Sequence, residues 1–188
     1  MQDFLITTSN IDILIFYIIH VNLQNALFDV VMPIISNMSY FTFWILICIF
    51  IFIFDSKNRN IALLCVIALV AGYFITDILK YLVARPRPYE VMEGIRILDP
   101  INGYSWPSGH TVASFISVTI LGKGYGYIFL VLVASLVAFS RVYNGVHYPS
   151  DVISGAIIGI LIGLLFLTYE NHIIGKINNF RKYSKYRK

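Results

Sequence analysis

The sequence predicts an all-α integral membrane protein: a bundle of five or six transmembrane helices, with an N-terminal helix that is interfacial or packed against the bundle. Composition is the first reason: 58% of the 188 residues are hydrophobic, 15% aromatic and only 13% charged, for a mean hydropathy of +0.76. Long uninterrupted apolar runs are the second, since such runs suit a bilayer core. Punctuation is the third, because the Arg85–Pro88 stretch and the polar turn at 55–60 fall between the runs and not within them. A soluble globular domain and a nucleic-acid-binding protein are both excluded by this balance.

Residues 4–35 are the irregular part. An apolar stretch at 11–19 is broken only by Asp12, and His20, Asn22, Gln24, Asn25 and Asp29 follow it. Leu23, Ala26, Leu27, Val30, Val31 and Ile34 keep helical spacing. This pattern fits a helix on the membrane surface or against the bundle better than a clean crossing. The N-terminus lacks the charged start and small-residue cleavage site of a secretory signal.

Five crossings follow in order. Residues 40–54 are apolar throughout and extendable backwards towards Met32, and 55–60 form a polar turn. A full-length helix covers 61–79, and Pro86 and Pro88 stop it. Residues 89–107 read as a polar loop carrying Glu90, Glu93, Arg96 and Asp99. The next helix covers 109–121, closed by Gly122-Lys123-Gly124 as a tight connection. Helices at 127–141 and 152–169 complete the set, so 1–175 form one membrane-embedded domain and 176–188 a basic tail without expected order. Cys48 and Cys65 lie inside apolar runs and read as packed thiols.

The loops at 55–60 and 122–126 and the segment after 170 share one face if every run crosses. Nine of the fourteen lysines and arginines lie there. Cytoplasmic loops are enriched in these residues, so that face is expected in the cytoplasm and the other outside a bacterial inner membrane. The outer face then collects Lys80, Arg87, Ser108, Gly109, His110, Arg141, His147 and Asp151, which come from the ends of four helices.

That set is suited to an anion. Arginine offers planar bidentate recognition of phosphate oxygens and lysine a compact charge. Ser108 reads as an N-cap, with Gly109 and His110 opening a helix whose free N–H groups favour negative charge. His147 precedes Pro149, which suits a first helical turn. Asp151 then falls inside that turn, able to accept the imidazole Nδ1–H and leave Nε2 as nucleophile or base. Each residue alone has a plainer role: a snorkelling lysine, a helix cap, an interfacial histidine. Those roles do not account for the shared face. For Arg85 and Arg87 together, in the proline-punctuated stretch, the plainer role is a surface turn. His20, His172 and Asp77 read as structural, and Tyr104 and Trp106 as interfacial aromatics.

Lys80, six residues, Arg87-Pro88; Pro107-Ser108-Gly109-His110; and Ser140-Arg141, five residues, His147, three residues, Asp151 together resemble the three signature motifs of the type 2 phosphatidic acid phosphatase (PAP2) family. The match covers residues 80–151 directly and, through the hydropathy pattern, nearly the whole chain. The resemblance implies a membrane lipid phosphatase needing no metal or other cofactor. By position, His147 is expected to form a phosphohistidine, Asp151 to orient it and His110 to protonate the leaving group. Lys80, Arg87, Ser108, Gly109 and Arg141 are expected to bind phosphate oxygens. Undecaprenyl pyrophosphate and lipid A 1-phosphate are the expected substrates, phosphatidylglycerophosphate or phosphatidic acid alternatives, and the 89–106 loop the expected site of head-group selection. Vanadium haloperoxidases share the site pattern, but a chain this apolar does not suit that soluble branch. A head-group carrier that binds without hydrolysing is the non-enzymatic alternative. The residues do not specify an oligomeric state.

Overall fold

The computed structural model describes residues 2–37 and 40–185, with side chains described over 10–37 and 40–177. Among the described residues every regular element is helical. The chain opens with α1 (Gln2–Tyr17), a π-helical turn (Ile18–Asn22) and α2 (Ala26–Asn37). The chain bends by 118° between 10–22 and 26–37, and the two segments together have the length and apolarity of a broken span or a re-entrant loop. Then come α3 (Phe41–Phe54), α4 (Arg59–Val83), a single turn α5 (Pro88–Val91), α6 (Gly109–Tyr125), α7 (Tyr127–Tyr143), α8 (Pro149–Thr168) and α9 (Glu170–Lys185).

Two stretches are long and apolar enough to cross a bilayer by themselves, 59–91 and α8, while α3 and α7 are shorter apolar helices. The expected number of crossings is therefore only partly matched. The helix at 40–54 does not extend back to Met32, because α2 ends at Asn37 and α3 begins at Phe41. Nor do Gly122 and Gly124 form the tight connection, since α6 runs through both. The turn is at Gly126, whose φ of +85° lies in the region that glycine tolerates best. Much of the segment after 175, expected to be irregular, belongs to α9.

α6 is the central post. Every residue from Gly109 to Leu121 except Phe115 is buried, and α3, α4, α7 and α8 all pack on it. Two of its small polar residues return hydrogen bonds to their own helix: Ser117 Oγ to Ala113 O (3.0 Å) and Thr119 Oγ1 to Phe115 O (2.7 Å). α8 approaches it most closely. Gly155, Gly159 and Gly163 recur every fourth residue, so they share one face. A Cβ added at these positions would stand 2.9 Å from Ser108 O, 2.6 Å from Val112 O and 2.6 Å from Thr119 Cβ, respectively. Small residues at this spacing let two backbones touch, which is how helices associate where lipid removes the hydrophobic drive. Outward faces stay apolar, as at Leu82, Ile128, Phe129 and Leu161.

This close contact joins the two helix starts that matter chemically. Ser108 N–H donates to Asp151 O at 3.1 Å, tying the start of α6 to the first turn of α8. α4 ends where Ala84 turns left-handed (φ +50°) before Arg85-Pro86. The chain then returns across the same end of the bundle.

Candidate active site

Burial sets the problem at this end. Arg87, Ser108, Arg141, His147 and Asp151 are each at most 2% exposed, and His110 9%. Buried charges are retained only with partners, so the partners are informative.

His147 lies in the turn between α7 and α8, delivered by Gly145 at φ +79°. A Cβ on that glycine would meet Arg96 O at 2.9 Å, so the turn needs both the left-handed backbone and the missing side chain. His147 Nδ1 faces Asp151 Oδ2 at 3.4 Å, longer than an ordinary hydrogen bond. The carboxylate has closer partners: Tyr148 N–H donates to Oδ2 at 2.9 Å and Arg85 Nη1 to Oδ1 at 2.6 Å. On the other side of the imidazole, Nε2 lies 3.4 Å from Arg87 Nη1. The ring pKa is held well below the ordinary imidazole range by burial first, then by Arg87, Arg141 and Lys80. His147 is thus neutral at physiological pH, with Nε2 on the cationic side.

Arg87 is fixed by carbonyls, donating from Nε to Gly103 O (2.7 Å), from Nη1 to Val146 O (2.8 Å) and from Nη2 to Tyr104 O (3.1 Å). Lys80 Nζ donates to Tyr104 O at 2.6 Å. Arg141 is different. Its Nη1 donates to Asp99 Oδ2 at 2.6 Å, but Nε and Nη2 have no partner within the protein. Asp99 is held in turn by Ser36 Oγ from α2, at 2.5 Å. A fully buried guanidinium with two nitrogens unpaired is costly by itself and suited to an incoming anion.

His110 opens α6 with its ring 4.8 Å from that of Tyr40. Arg141, His147, Lys80 and Arg87 are all within electrostatic range of it. Ser108 occupies the N-cap position, though its side chain does not cap the helix: its Oγ accepts from Thr111 Oγ1 at 3.0 Å. The first-turn N–H groups of α6 therefore keep their usual unpaired character. A cavity of about 660 Å³ adjoins this cluster, walled by Lys80, Arg87, Gly109 and His110 and by aromatic residues including Tyr40, Phe41, Tyr73 and Tyr81. His147 and Arg141 lie behind that wall. The size and mixed lining suit a small polar group attached to an apolar one.

All eight residues singled out from the sequence gather at this end. The 89–106 loop, the expected place of head-group selection, does reach the cavity, but not through its charges. Three of its four charges face protein groups: Asp99 holds Arg141, Glu90 accepts the Arg87 N–H (2.7 Å), and Arg96 pairs with Asp29. The loop supplies the cavity with Ile101, Asn102, Gly103 and Tyr104 instead. Arg85 and Asp12 were missed as site residues. Arg85 is no surface turn, since it bridges Asp151 and Asp12. The available signal for Asp12 was a single acid inside an apolar run, which is expensive without a partner.

An apolar helical bundle with a buried cationic and imidazole cluster at one end defines the class: a helical membrane protein. The chain belongs to the PAP2 superfamily, which its sequence matches over residues 60–174. It is 35% identical over 132 residues to an undecaprenyl-diphosphatase of Sulfolobus acidocaldarius, covering 68% of this chain and 64% of that protein. It is 29% identical over 152 residues to the undecaprenyl-diphosphatase BcrC of Bacillus subtilis, covering 79% and 78%. Its fold is similar to that of Aquifex aeolicus LpxE, with a TM-score of 0.76, 31% identity and coverage of 84% of this chain and 94% of that one. The chain thus spans about two thirds of the archaeal relative's length.

Proposed function

We propose that this chain is a membrane lipid-phosphate phosphatase, acting on a phosphate monoester or pyrophosphate of a lipid through a phosphohistidine. The observation that carries the reading is a buried His147 whose Nε2 lies 3.4 Å from Arg87 Nη1, together with a fully buried Arg141 whose Nε and Nη2 lack protein partners. In the first step the His147 Nε2 lone pair attacks phosphorus, the bond to the leaving oxygen breaks, and His110 gives that oxygen a proton. In the second step His110 takes a proton from water, whose oxygen attacks phosphorus and releases inorganic phosphate and free His147. Arg141, Lys80, Arg87 and the first-turn N–H groups of α6 hold the equatorial oxygens as charge builds there, with Ser108 shaping this helix start. Arg87 exchanges its contact with His147 for one with phosphate. Phosphate ester hydrolysis is extremely slow uncatalysed, and such preorganised donors supply most of the needed stabilisation.

Undecaprenyl pyrophosphate is the favoured substrate, supported by the two diphosphatase relatives. Lipid A 1-phosphate is the second reading, supported by a likeness over 67 residues to a lipid A 1-phosphatase of Porphyromonas gingivalis. The cation-rich ends of α4, α6 and α9 are assigned to the cytoplasm by charge, and the cavity to the exterior. The test is inorganic phosphate release by purified protein in detergent from undecaprenyl pyrophosphate, lipid A and phosphatidylglycerophosphate, with excess chelator. Metal-independent release blocked by orthovanadate is expected. Head-group binding with no release would make the protein a carrier.

A further inference from the structure

The cluster behind Asp151 is more elaborate than a cap requires. Arg85 Nη1 donates to Asp151 Oδ1 at 2.6 Å and to Ser150 Oγ at 2.7 Å, while its Nη2 donates to Asp12 Oδ2 at 2.7 Å. Asp12 also accepts Ser150 N–H at Oδ1 (2.8 Å) and Ser150 Oγ–H at Oδ2 (2.6 Å). The guanidinium lies 3.9 Å over the Tyr148 ring. One arginine is therefore locked between two carboxylates and an aromatic face, and one of those carboxylates comes from α1, which lends the cavity no residue.

We propose that Arg85 and Asp12 are positioning residues for the reaction, acting on His147 through Asp151. The inference rests on the phosphatase reading above. Asp151 has two oxygens and one imidazole to orient. Because Arg85 claims Oδ1, Oδ2 is the oxygen that faces His147 Nδ1. Arg85 alone would also neutralise the carboxylate and weaken its hold on the imidazole. Asp12 shares the guanidinium, leaving the three-group cluster with one net negative charge next to the nucleophile. A helix outside the signature stretches thereby sets the reactivity of a residue within them.

The experiment uses the full chain in detergent, with a soluble short-chain prenyl diphosphate as substrate. Asp12→Asn and Arg85→Gln are each expected to lower kcat by about 10- to 100-fold, the usual effect of losing an outer-shell partner. KM should stay within about twofold, because neither residue touches substrate. Asp12→Glu should regain much of the loss. The double variant should be no worse than Arg85→Gln alone, since both residues act along one chain of contacts. Asp12→Asn with an unchanged kcat overturns the proposal, as do losses that multiply in the double variant or fall on KM. Should Asp12→Asn fail to fold, Arg85→Lys decides. It keeps the charge but cannot bridge both carboxylates, so a kcat equal to wild type overturns the proposal and a reduced one supports it. A wild-type protein that releases no phosphate instead overturns the phosphatase reading, and this inference with it.

Discussion

The two ends of the bundle carry similar groups under opposite conditions. At the site end Arg141 and Asp99 pair at 2.6 Å with side chains 0% and 9% exposed. At the other end Lys123 and Glu170 pair at 2.5 Å with side chains 51% and 20% exposed. Asp55 there accepts from the Tyr125 hydroxyl at 2.6 Å and has its pKa lowered to about 2, chiefly by that bond. Water solvates the second set whether or not the pairs form, so they add little. The first set has no such fallback, and every partner removed leaves a desolvated charge. The comparison teaches where this chain depends on its ion pairs: among the described residues, at the buried end that carries His147 and Arg141.

His147→Ala gives the largest expected loss. Phosphate release should fall by about 10⁴-fold or more, as for other removed nucleophiles. His110→Ala should cost about 10²- to 10⁴-fold. Both are read by phosphate release, with unchanged unfolding temperature in detergent. The pH profile sharpens the same contrast. His147 attacks as the neutral form, and its pKa lies below the ordinary 6.5. Activity should therefore persist as pH falls through 6.5 and disappear only below it, with the acid limb of kcat/KM as the readout.

Asp99→Asn should destabilise the fold by about 3 kcal/mol, because Arg141 is left buried without a counter-charge. Thermal unfolding measures this, and a shift as small as that of a surface variant would erase the distinction between the two ends. Gly159→Leu tests the contact that assembles the site. The new side chain collides with Val112 O and Phe115 Cβ, and overpacking of this kind costs about 1–3 kcal/mol. Activity should fall with it as the starts of α6 and α8 separate. Glu170→Gln is the smallest expected effect, about 0.5 kcal/mol or less, with no change in phosphate release.

Much of the site was legible because its chemistry is written in contiguous stretches. His147, Pro149 and Asp151 declare a turn into a helix through backbone preference and spacing alone. Lys80 and Arg87 sit on either side of a proline-enforced stop for a similar local reason. The same is true of the apolar runs, whose lengths depend only on composition. What the charges of the 89–106 loop contact was not legible in this way: charge was visible, but the direction it faced was not.

What the sequence by itself determined was the all-helical membrane class, the grouping of polar residues at helix ends and the PAP2 signature, all consequences of short-range preference and of the membrane as solvent. Tertiary structure alone decided which charges meet. Asp12 lies 73 residues from Arg85 and Asp99 42 from Arg141, and nothing local to either acid specifies its partner. That choice follows from the α8 glycines, which bring α8 onto α6, and from the folding of α1 and α2 over that end. The reason is physical: a buried ion selects its counter-ion by distance in space, and spatial distance exists only once the helices have packed.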